Sequence, residues 1–262
     1  MDEFNSFNIE KNDLLAEFIG IMLGDGHLHK KGEKLYDGDL LSISLNRVDE
    51  PEYVEYVKNL IFNLFGIIPI EQPRSDSKSI DLKLYNSDII DFLISIGLKT
   101  GDKVKNQVYV PEWINKERSW IECNELEWVS KIKPLVIACL RGLTDTDGSL
   151  YVDHFNKIIG IGFKNASLPL VKDFKSMCES LCIRTGKISE SPYKSNKSGR
   201  IYLAYQVLIR AKSHVKVFLN IIKPMKWEYR KSEIEKILNS LGTSVKEALN
   251  SKYKRKDSYR KI

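Results

Sequence analysis

The chain of 262 residues contains little that would place it in a membrane or an oxidising compartment. No apolar run approaches the roughly 20 residues that a membrane-spanning helix needs. The first residues, Met1 to Asn5, have neither the basic nor the apolar region of a secretory signal. There are only four cysteines and no CxxC pair, so we expect no zinc site and four reduced thiols. We therefore expect an intracellular, reducing location, such as cytoplasm, nucleoid or organelle matrix, with no membrane partner.

Net positive charge is also scarce outside the C-terminus. The net charge is +6. The tail between Lys252 and Lys261 holds six basic residues against one acidic residue, a balance of +5, so the rest of the chain contributes +1. Total charge therefore says little about a polyanionic partner, and the placement of the basic residues matters more. The four histidines show no spacing typical of a metal site.

One pattern of nine residues does occur twice, as FIGIMLGDG and as LRGLTDTDG. Each copy has two small residues four positions apart, Gly20 and Gly24 in the first copy, Gly142 and Thr146 in the second. This spacing places both small residues on one helix face. Small residues on a helix face let two backbones approach closely. We therefore expect the two motif helices to pack against each other inside the protein.

Each copy ends on a carboxylate followed by glycine, at Asp25 and at Asp147. The C-terminal end of a helix carries partial negative charge and disfavours an anion. If the two helices pack in parallel, the two acids also meet, and like charges at close range resist joint ionisation. Divalent cations bound between the acids would relieve both problems. A single Asp-Gly is otherwise an ordinary turn, so the repetition carries the prediction of a metal site.

The two stretches resemble the motifs of the LAGLIDADG homing endonucleases, in the form that carries both motifs on one chain. The second copy matches six of the nine letters, whereas the first has Leu23 where the family has an earlier acid. The resemblance implies a monomer that hydrolyses one phosphodiester in each strand of a long, asymmetric double-stranded DNA site. It implies two or three divalent ions, normally Mg²⁺, for which Mn²⁺ or Ca²⁺ can substitute in binding. Asp25 and Asp147 would be the catalytic metal ligands, assisted by the backbone carbonyls of Gly24 and Thr146.

The family also places a lysine near each scissile phosphate, where positive charge stabilises the transition state. Lys103 fits this role in the first half, because it lies in a Gly-x-Lys turn before Pro-x-Trp-Ile. In the second half, counting without gaps puts Tyr229 opposite Lys103. The resemblance then leaves Arg230 or Lys231 as the second catalytic cation, and we prefer Lys231.

Hydrophobic patterns and turn signals follow the same order in both halves. The predicted strands include 67–70 in the first half, and 184–191 and 201–210 in the second. Asp25 and Asp147 lie 122 positions apart (147 − 25), and Ser87 and Ser213 lie 126 apart (213 − 87), as a duplication with a small insertion would give. The sequence therefore predicts an α+β fold of two pseudo-symmetric αββαββα halves. Each half would form a mostly antiparallel four-stranded sheet, and both would make a DNA-binding saddle around two central packed helices. The predicted domains are residues 1–114, a linker at 115–130, and residues 131–262 including the basic tail.

Polar side chains on the exposed strand faces are candidates for contact with DNA, because a β-ribbon can enter the major groove. The alternation of residues 40–46 exposes Ser42, Ser44 and Asn46 in the first half. The candidates in the second half are Lys164, Lys187, Tyr202 and Arg210 on strands, and Lys194, Lys197 and Arg200 in a basic loop suited to phosphate contact.

Three other functions stay open at this point. An RNA maturase on the same fold would bind intron RNA, although the presence of both Asp25 and Asp147 favours the nuclease without excluding dual activity. A DNA-binding regulator would normally add a helix-turn-helix domain, for which no room remains. A hydrolase of small substrates is disfavoured because no deep apolar pocket is implied. Since the chain lacks Cys or Ser at its start and His-Asn at its end, we expect a free-standing, intron-encoded protein rather than one embedded in an intein.

Overall fold

A computed structural model describes residues 9–32, 38–75, 77–116, 133–153, 158–194, 199, 201–230, 232 and 234–236. The first half runs in the order α1 (Asp13–Gly24), β1 (Gly26–His29), β2 (Leu40–Asn46), α2 (Pro51–Phe65), β3 (Ile70–Pro73), β4 (Ser79–Leu84), α3 (Ser87–Ser95) and α4 (Glu112–Asn115). The second half runs α5 (Pro134–Asp147), β5 (Gly148–Asp153), β6 (Ile158–Asn165), α6 (Leu168–Ser180), β7 (Ser189–Glu190), β8 (Tyr193–Lys194), β9 (Ile201–Tyr202), β10 (Tyr205–Ile209) and α7 (Lys212–Ile222), followed by a 3₁₀ helix (Met225–Arg230).

Within this described part of the chain, no helix has both the length and the apolar character to cross a membrane. Most of the predicted linker at 115–130 and all of the basic tail at 252–261 lie outside the described residues.

Both halves contain a four-stranded antiparallel sheet with equivalent strand order, β1-β2-β4-β3 and β5-β6-β10-β7. In the first sheet Ile43 pairs with Gly26 on one side and with Leu82 on the other. In the second sheet Phe163 pairs with Gly148 and with Val207. The two sheets therefore correspond strand for strand, and Ile43 and Phe163 occupy equivalent positions in them. The predicted α+β fold of two pseudo-symmetric αββαββα halves is confirmed.

Several strand positions differ from the prediction. We expected a strand at 67–70, but β3 covers Ile70–Pro73. The predicted strand at 201–210 is divided into β9 and β10, and β9 pairs with β8 in a separate two-stranded ribbon. Only Ser189–Glu190 of the predicted strand at 184–191 is a strand. Short edge strands carry few buried residues, so their hydrophobic pattern is weak.

The core lies between the helices and one face of each sheet. On β2, Leu41, Ile43 and Leu45 are buried, whereas the alternating polar residues are partly exposed. This agrees with the predicted alternation, in which one strand face meets the core and the other faces outward. The second sheet buries its own row, formed by Ile159, Ile161, Phe163, Val207 and Ile209. Each sheet therefore keeps one face open.

Helices α1 and α5 pack together at the centre of the molecule with their backbones in close approach. A Cβ added to Gly20 would collide with the carbonyl oxygen of Cys139, and one added to Gly142 would collide with the carbonyl oxygen of Glu17. Glu17 and Cys139 are equivalent positions in the two copies of the motif, 122 residues apart. The contact is therefore symmetric about the axis that relates the halves, and glycine is required on both sides of it.

One polar network crosses this buried contact between the halves. The Glu17 carboxylate accepts hydrogen bonds from the Tyr56 hydroxyl and from Arg141 Nη1, the latter at 2.9 Å. Arg141 Nε also donates to the carbonyl of Ile222 at 2.8 Å. Burial raises the pKa of Glu17, and the Arg141 charge opposes that shift. Because Arg141 stands where the first copy has Ile19, this network has no counterpart across the pseudo-symmetry axis.

The cysteines differ from the prediction of four reduced thiols. Cys139 and Cys178 are buried thiols. Cys182, at φ 60° just after α6, is disulfide-bonded. Its partner lies outside the described residues. The expectation of four reduced cysteines is therefore wrong at Cys182.

Candidate metal and nucleic-acid site

The two motif carboxylates come together where α1 and α5 end side by side. Asp25 caps α1, its N–H donating to the carbonyl of Ile21, and Asp147 is the last residue of α5. A Cβ added to Gly24 would collide with the side chain of Thr146, so the two helix ends touch. Burial, followed by the charge of Asp147, raises the pKa of Asp25 to about 6. The two acids therefore resist joint ionisation, as the sequence indicated.

Asp147 has a hydrogen-bond partner that sequence reasoning did not identify. Asn165, the last residue of β6, donates its side-chain amide to Asp147 Oδ2 at 2.7 Å. Burial raises the pKa of Asp147, and the Asn165 hydrogen bond and the Lys103 charge oppose that shift. By strand register, the position of Asn165 corresponds to Leu45 in the first half. The two acids consequently differ in their immediate surroundings.

Lys103 lies beside the acids, and its predicted role near a scissile phosphate stays a prediction. Its ammonium donates to the backbone carbonyls of Met22 at 3.4 Å and Leu23 at 3.2 Å, and also to that of Gly24. The last carbonyls of a helix lack partners within the helix, and Lys103 donates to them here. Burial lowers the pKa of Lys103, although the charges of Asp147 and Asp25 act in the opposite direction. The Gly24 carbonyl, predicted as a metal ligand, is thus a hydrogen-bond acceptor for Lys103 in this structure.

A second lysine near the acids, Lys226, was missed in the sequence. Its charge lowers the pKa of both Asp25 and Asp147. Its ammonium forms an ion pair with Glu50 Oε2 at 2.6 Å and lies 4.8 Å from the ring centroid of Tyr53. Lys226 therefore reaches across from the second half to residues of the first half, next to the carboxylates.

Asp145 explains how Lys226 is positioned. The Asp145 carboxylate accepts the backbone N–H groups of Met225 and Lys226, each at 3.0 Å. Burial raises the pKa of Asp145 to about 7, and these two hydrogen bonds oppose the shift. The earlier acid of the motif thus holds the 3₁₀ helix against the end of α5. These hydrogen bonds depend on where the 3₁₀ helix lies, so the sequence pattern alone does not mark Lys226.

The structure leaves untested the two residues predicted as the second catalytic cation, Arg230 and Lys231. Lys231 lies outside the described residues, and of Arg230 only the backbone is described, at the end of the 3₁₀ helix. The catalytic assignment of Lys231 therefore stays a prediction. Among the described residues of the second half, Lys226 is the cation whose charge acts on both acids.

The donor set is small but suits a hard cation. The described residues contain no group of three or more His, Cys, Asp or Glu side chains that could hold a metal ion. Mg²⁺, however, is commonly bound through one or two carboxylates together with water and substrate phosphates. Asp25 and Asp147 meet that requirement, with backbone carbonyls beside them. The Thr146 hydroxyl instead donates back to the carbonyls of Gly142 at 2.9 Å and Leu143 at 3.1 Å.

The open face of the first sheet carries the polar residues predicted there. Ser42 and Ser44 are partly exposed. Ser44 donates from Oγ to Asp81 Oδ1 at 2.6 Å and accepts a hydrogen bond from Arg74 at 3.1 Å. Asn46 closes the following turn, since its side chain bonds to the backbone and the carboxylate of Asp49. A DNA contact by Ser42, Ser44 or Asn46 stays a prediction.

Basic residues are also exposed on and beside the second sheet. Lys164 is exposed on β6, opposite Gln206. Lys187 and Arg210 line an open pocket of about 460 Å³ together with Arg184, which sequence reasoning missed. Tyr202 is exposed on β9, and the preceding residue of that strand, Ile201, pairs with Lys194. Nothing is described of the Lys194 side chain, and Lys197 and Arg200 lie outside the described residues.

Comparison with known proteins agrees with this geometry. Residues 134–223 match the sequence model of a family described as LAGLIDADG-like domain. The chain is 25% identical over 217 residues to the replication factor C small subunit of Methanocaldococcus jannaschii. That match covers 80% of this chain but 9% of the relative, so the chain spans about a tenth of the curated relative that it matches.

Solved structures of similar fold include homing endonucleases bound to DNA. A variant of I-DmoI, in complex with its nicked target DNA and in the presence of Mn, shares 13% identity at a TM-score of 0.50, covering 80% of this chain and 96% of that one. I-GzeII in complex with its DNA target shares 16% identity at a TM-score of 0.48, covering 92% and 97%. At this level of identity the first likeness establishes the fold. The resemblance noted in the sequence is thus confirmed for residues 134–223, which match the model of a LAGLIDADG-like domain.

Proposed function

We propose that this protein is a site-specific DNA endonuclease that acts as a monomer and hydrolyses one phosphodiester in each strand of a long, asymmetric site, using divalent metal ions. The observation that carries the proposal is the convergence of Asp25 and Asp147 at the touching ends of α1 and α5. An acid whose pKa is raised by burial and by a second acid is an unfavourable arrangement without a cation.

Support for a DNA substrate comes from the shape around the acids. Both sheets keep an open polar face, and the carboxylates lie where the two halves meet. Lys187 and Arg210, with Arg184, place positive charge in the open pocket of the second sheet. Positive side chains on an open surface are suited to the phosphate backbone of a duplex. The I-DmoI structure of the same fold was solved with target DNA and Mn, which is consistent with this substrate and cofactor.

The residues of this chain have separate tasks in the proposed reaction. Asp25 and Asp147 would hold Mg²⁺ between the helix ends, where Mn²⁺ could replace it. A divalent ion bound there supplies an activated water and stabilises the leaving 3′ oxygen. Lys103 and Lys226 place positive charge beside the acids, which favours the anionic transition state of phosphoryl transfer. Asp145 fixes the backbone of Lys226, and Asn165 orients Asp147.

The test compares Asp25→Asn and Asp147→Asn with wild type. A randomised duplex library is incubated with full-length protein in Mg²⁺, with EDTA as control, and the cleaved sites are sequenced. Binding to an enriched site is then measured by gel shift in Ca²⁺. We expect both variants to lose double-strand cleavage while keeping affinity within severalfold of wild type.

Asp13→Asn is the matched control, because Asp13 is an exposed residue in the first turn of the same helix α1. It should cleave as wild type does. Undiminished cleavage by Asp25→Asn or Asp147→Asn, or cleavage by wild type in EDTA, would refute the proposal. A parallel gel shift with structured RNA reports on the alternative of an RNA-binding maturase.

A further inference from the structure

The open face of the first sheet carries a hydrogen-bond network that joins three side chains, Ser44, Arg74 and Asp81. Arg74 donates from Nε to Asp81 Oδ2 at 3.0 Å and from Nη2 to Asp81 Oδ1 at 2.8 Å. Arg74 Nη2 also lies 3.1 Å from Ser44 Oγ, and that hydroxyl donates to Asp81 Oδ1 at 2.6 Å. The Arg74 guanidinium is therefore fixed by a bidentate contact with the Asp81 carboxylate and by a hydrogen bond to the Ser44 hydroxyl.

The backbone under this network is also fixed. Ser44 on β2 pairs directly with Asp81 on β4. Arg74 directly follows β3, and its backbone N–H donates to the carbonyl of Ser79 at 3.0 Å. The Ser44 N–H in turn donates to the carbonyl of Asp25 at 3.2 Å. The network therefore lies on the part of the open face that adjoins the catalytic carboxylates.

An isolated surface ion pair would contribute little and would leave the arginine mobile. Here the Asp81 side chain is 11% exposed whereas the Arg74 side chain is 50% exposed. The carboxylate is thus enclosed by the sheet, and the guanidinium is presented outward from it. A buried acid that serves only to hold an exposed arginine costs desolvation. That cost suggests a use for a fixed guanidinium on this face.

We propose that Arg74, held by Asp81 and Ser44, is a base-reading side chain that selects guanine at one position of the half-site bound by the first sheet. This inference rests on the proposed function, because it presupposes that the open face enters the major groove. Guanine presents two acceptors there, O6 and N7. Because Asp81 occupies Nε and one N–H of Nη2, the matching donor pair is the edge formed by Nη1 and Nη2, where the base would replace the Ser44 contact. A guanidinium whose orientation is fixed before binding loses little freedom when it meets that edge.

The second half supplies a contrast within the same chain. By strand register, Lys164 corresponds to Ser44 and Gln206 corresponds to Asp81. Neither residue has a carboxylate that could hold an arginine in this way. A guanine preference that depends on a carboxylate-held arginine should therefore appear in the half-site of the first sheet alone.

The test selects bound sites from a randomised duplex library with full-length protein in Ca²⁺, and it compares wild type, Arg74→Lys and Asp81→Asn. Lysine keeps the charge but loses the paired donors. We expect wild type to favour guanine at one position near the centre of the site, and Arg74→Lys to weaken that preference by about tenfold or more. The other positions should keep their preferences.

Asp81→Asn tests whether Asp81 orients the Arg74 side chain, because the variant keeps the charge of Arg74 and weakens its ion-pair partner. The guanine preference at that position should fall severalfold, while total affinity stays equal or increases because a negative charge is removed. Arg47→Lys is the control, since Arg47 is an exposed arginine in the turn after β2. It should leave that position unchanged, and thermal melting verifies that all variants are folded.

The outcomes separate this inference from the proposed function. If wild type enriches a site and Arg74→Lys keeps every base preference, Arg74 does not read guanine and the inference is wrong while the proposed function stands. If Asp81→Asn keeps the wild-type preference, Asp81 does not position Arg74. If wild type enriches no site at all, the proposed function fails and removes this inference with it.

Discussion

Gly20 on α1 and Gly142 on α5 occupy equivalent positions in the two halves, and each lies against the backbone of the other helix. The Cα of Gly142 faces the Glu17 carbonyl and the N–H of Ile21, whereas that of Gly20 faces Cys139 and Leu143. This reciprocal contact brings the two helix ends together. The position of both carboxylates therefore depends on glycine, which has no side chain, at residues 20 and 142.

Gly142→Ala should destabilise the protein, although alanine is normally the better helix former by about 1 kcal/mol. The added methyl group would collide with the Glu17 carbonyl, so we expect a net loss of about 1–3 kcal/mol from overpacking. Gly160→Ala is the control, because a Cβ there meets the Ile209 carbonyl at 3.4 Å, an ordinary contact. Urea unfolding followed by circular dichroism measures both. Equal stability of Gly142→Ala and wild type would contradict the close approach of the helices.

The network across the same helix contact leads to a second prediction. Arg141→Met would leave Glu17, which is 2% exposed, without its charged partner. We expect a loss of about 3–5 kcal/mol at pH 7. The double variant with Glu17→Gln should recover much of that loss, because the buried charge is removed together with its partner. Chemical denaturation of the single and double variants measures the coupling, and purely additive effects would argue against the ion pair.

Repetition in the sequence allowed a large part of this structure to be predicted. The small residues of the motif predicted the helix contact, and alternation on β2 predicted which face of the sheet is open. Lys103 could be placed by the family pattern. Ser44 was identified as exposed, but its partners Arg74 and Asp81 were not. Hydrogen bonds between neighbouring strands depend on register, which hydrophobic patterning fixes only through the turns.

Lys226 could not be found by counting along the two halves. By ungapped alignment from α3 and α7, residue 226 corresponds to Thr100, so the two lysines near the acids come from different positions of the repeat. What places Lys226 is the Asp145 carboxylate, which binds the backbone of the 3₁₀ helix. The first motif has Leu23 at the position of Asp145 and therefore no such bond. Departures from symmetry of this kind can be found only from coordinates.

The pH dependence of stability should report on the paired acids. The pKa of Asp25 is about 6 in the folded protein, above its ordinary value of 3.8, so the native state binds more protons between these values. The free energy of unfolding should therefore decrease as pH rises from about 4 to about 6. Asp25→Asn should flatten this decrease and make the metal-free protein about 1–3 kcal/mol more stable at pH 7.

Mg²⁺ should reverse that comparison. It should raise the melting temperature of wild type at pH 7 by more than it raises that of Asp25→Asn, because a carboxylate ligand is lost in the variant. Melting curves with and without Mg²⁺ at pH 4 and pH 7 test both statements. A wild-type stability that increases from pH 4 to pH 6, in parallel with that of Asp25→Asn, would contradict the raised pKa.

The basic pocket of the second sheet predicts a salt-dependent contribution to DNA affinity. If Arg210 contacts a phosphate, Arg210→Gln should reduce the slope of log K against log salt by about 1. Affinity should fall by similar factors for all DNA sequences, since a phosphate contact carries no base preference. Lys236→Gln, at an exposed position after the 3₁₀ helix, is the control. An unchanged slope in Arg210→Gln, measured by fluorescence anisotropy, would remove Arg210 from the interface.

Lys226 gives the sharpest test of how the site works, because its charge acts on both acids while its ammonium pairs with Glu50. Lys226→Met should lower the single-turnover cleavage rate by about tenfold to a thousandfold, since a positive group near the transferred phosphoryl is lost. DNA binding in Ca²⁺ should change by less than the rate does. Lys223→Met is the control, because Lys223 is exposed at the end of α7, three residues away. If Lys226→Met cleaves at the wild-type rate whereas Lys231→Met does not, the second catalytic cation is Lys231 and Lys226 serves only to join the two halves through Glu50.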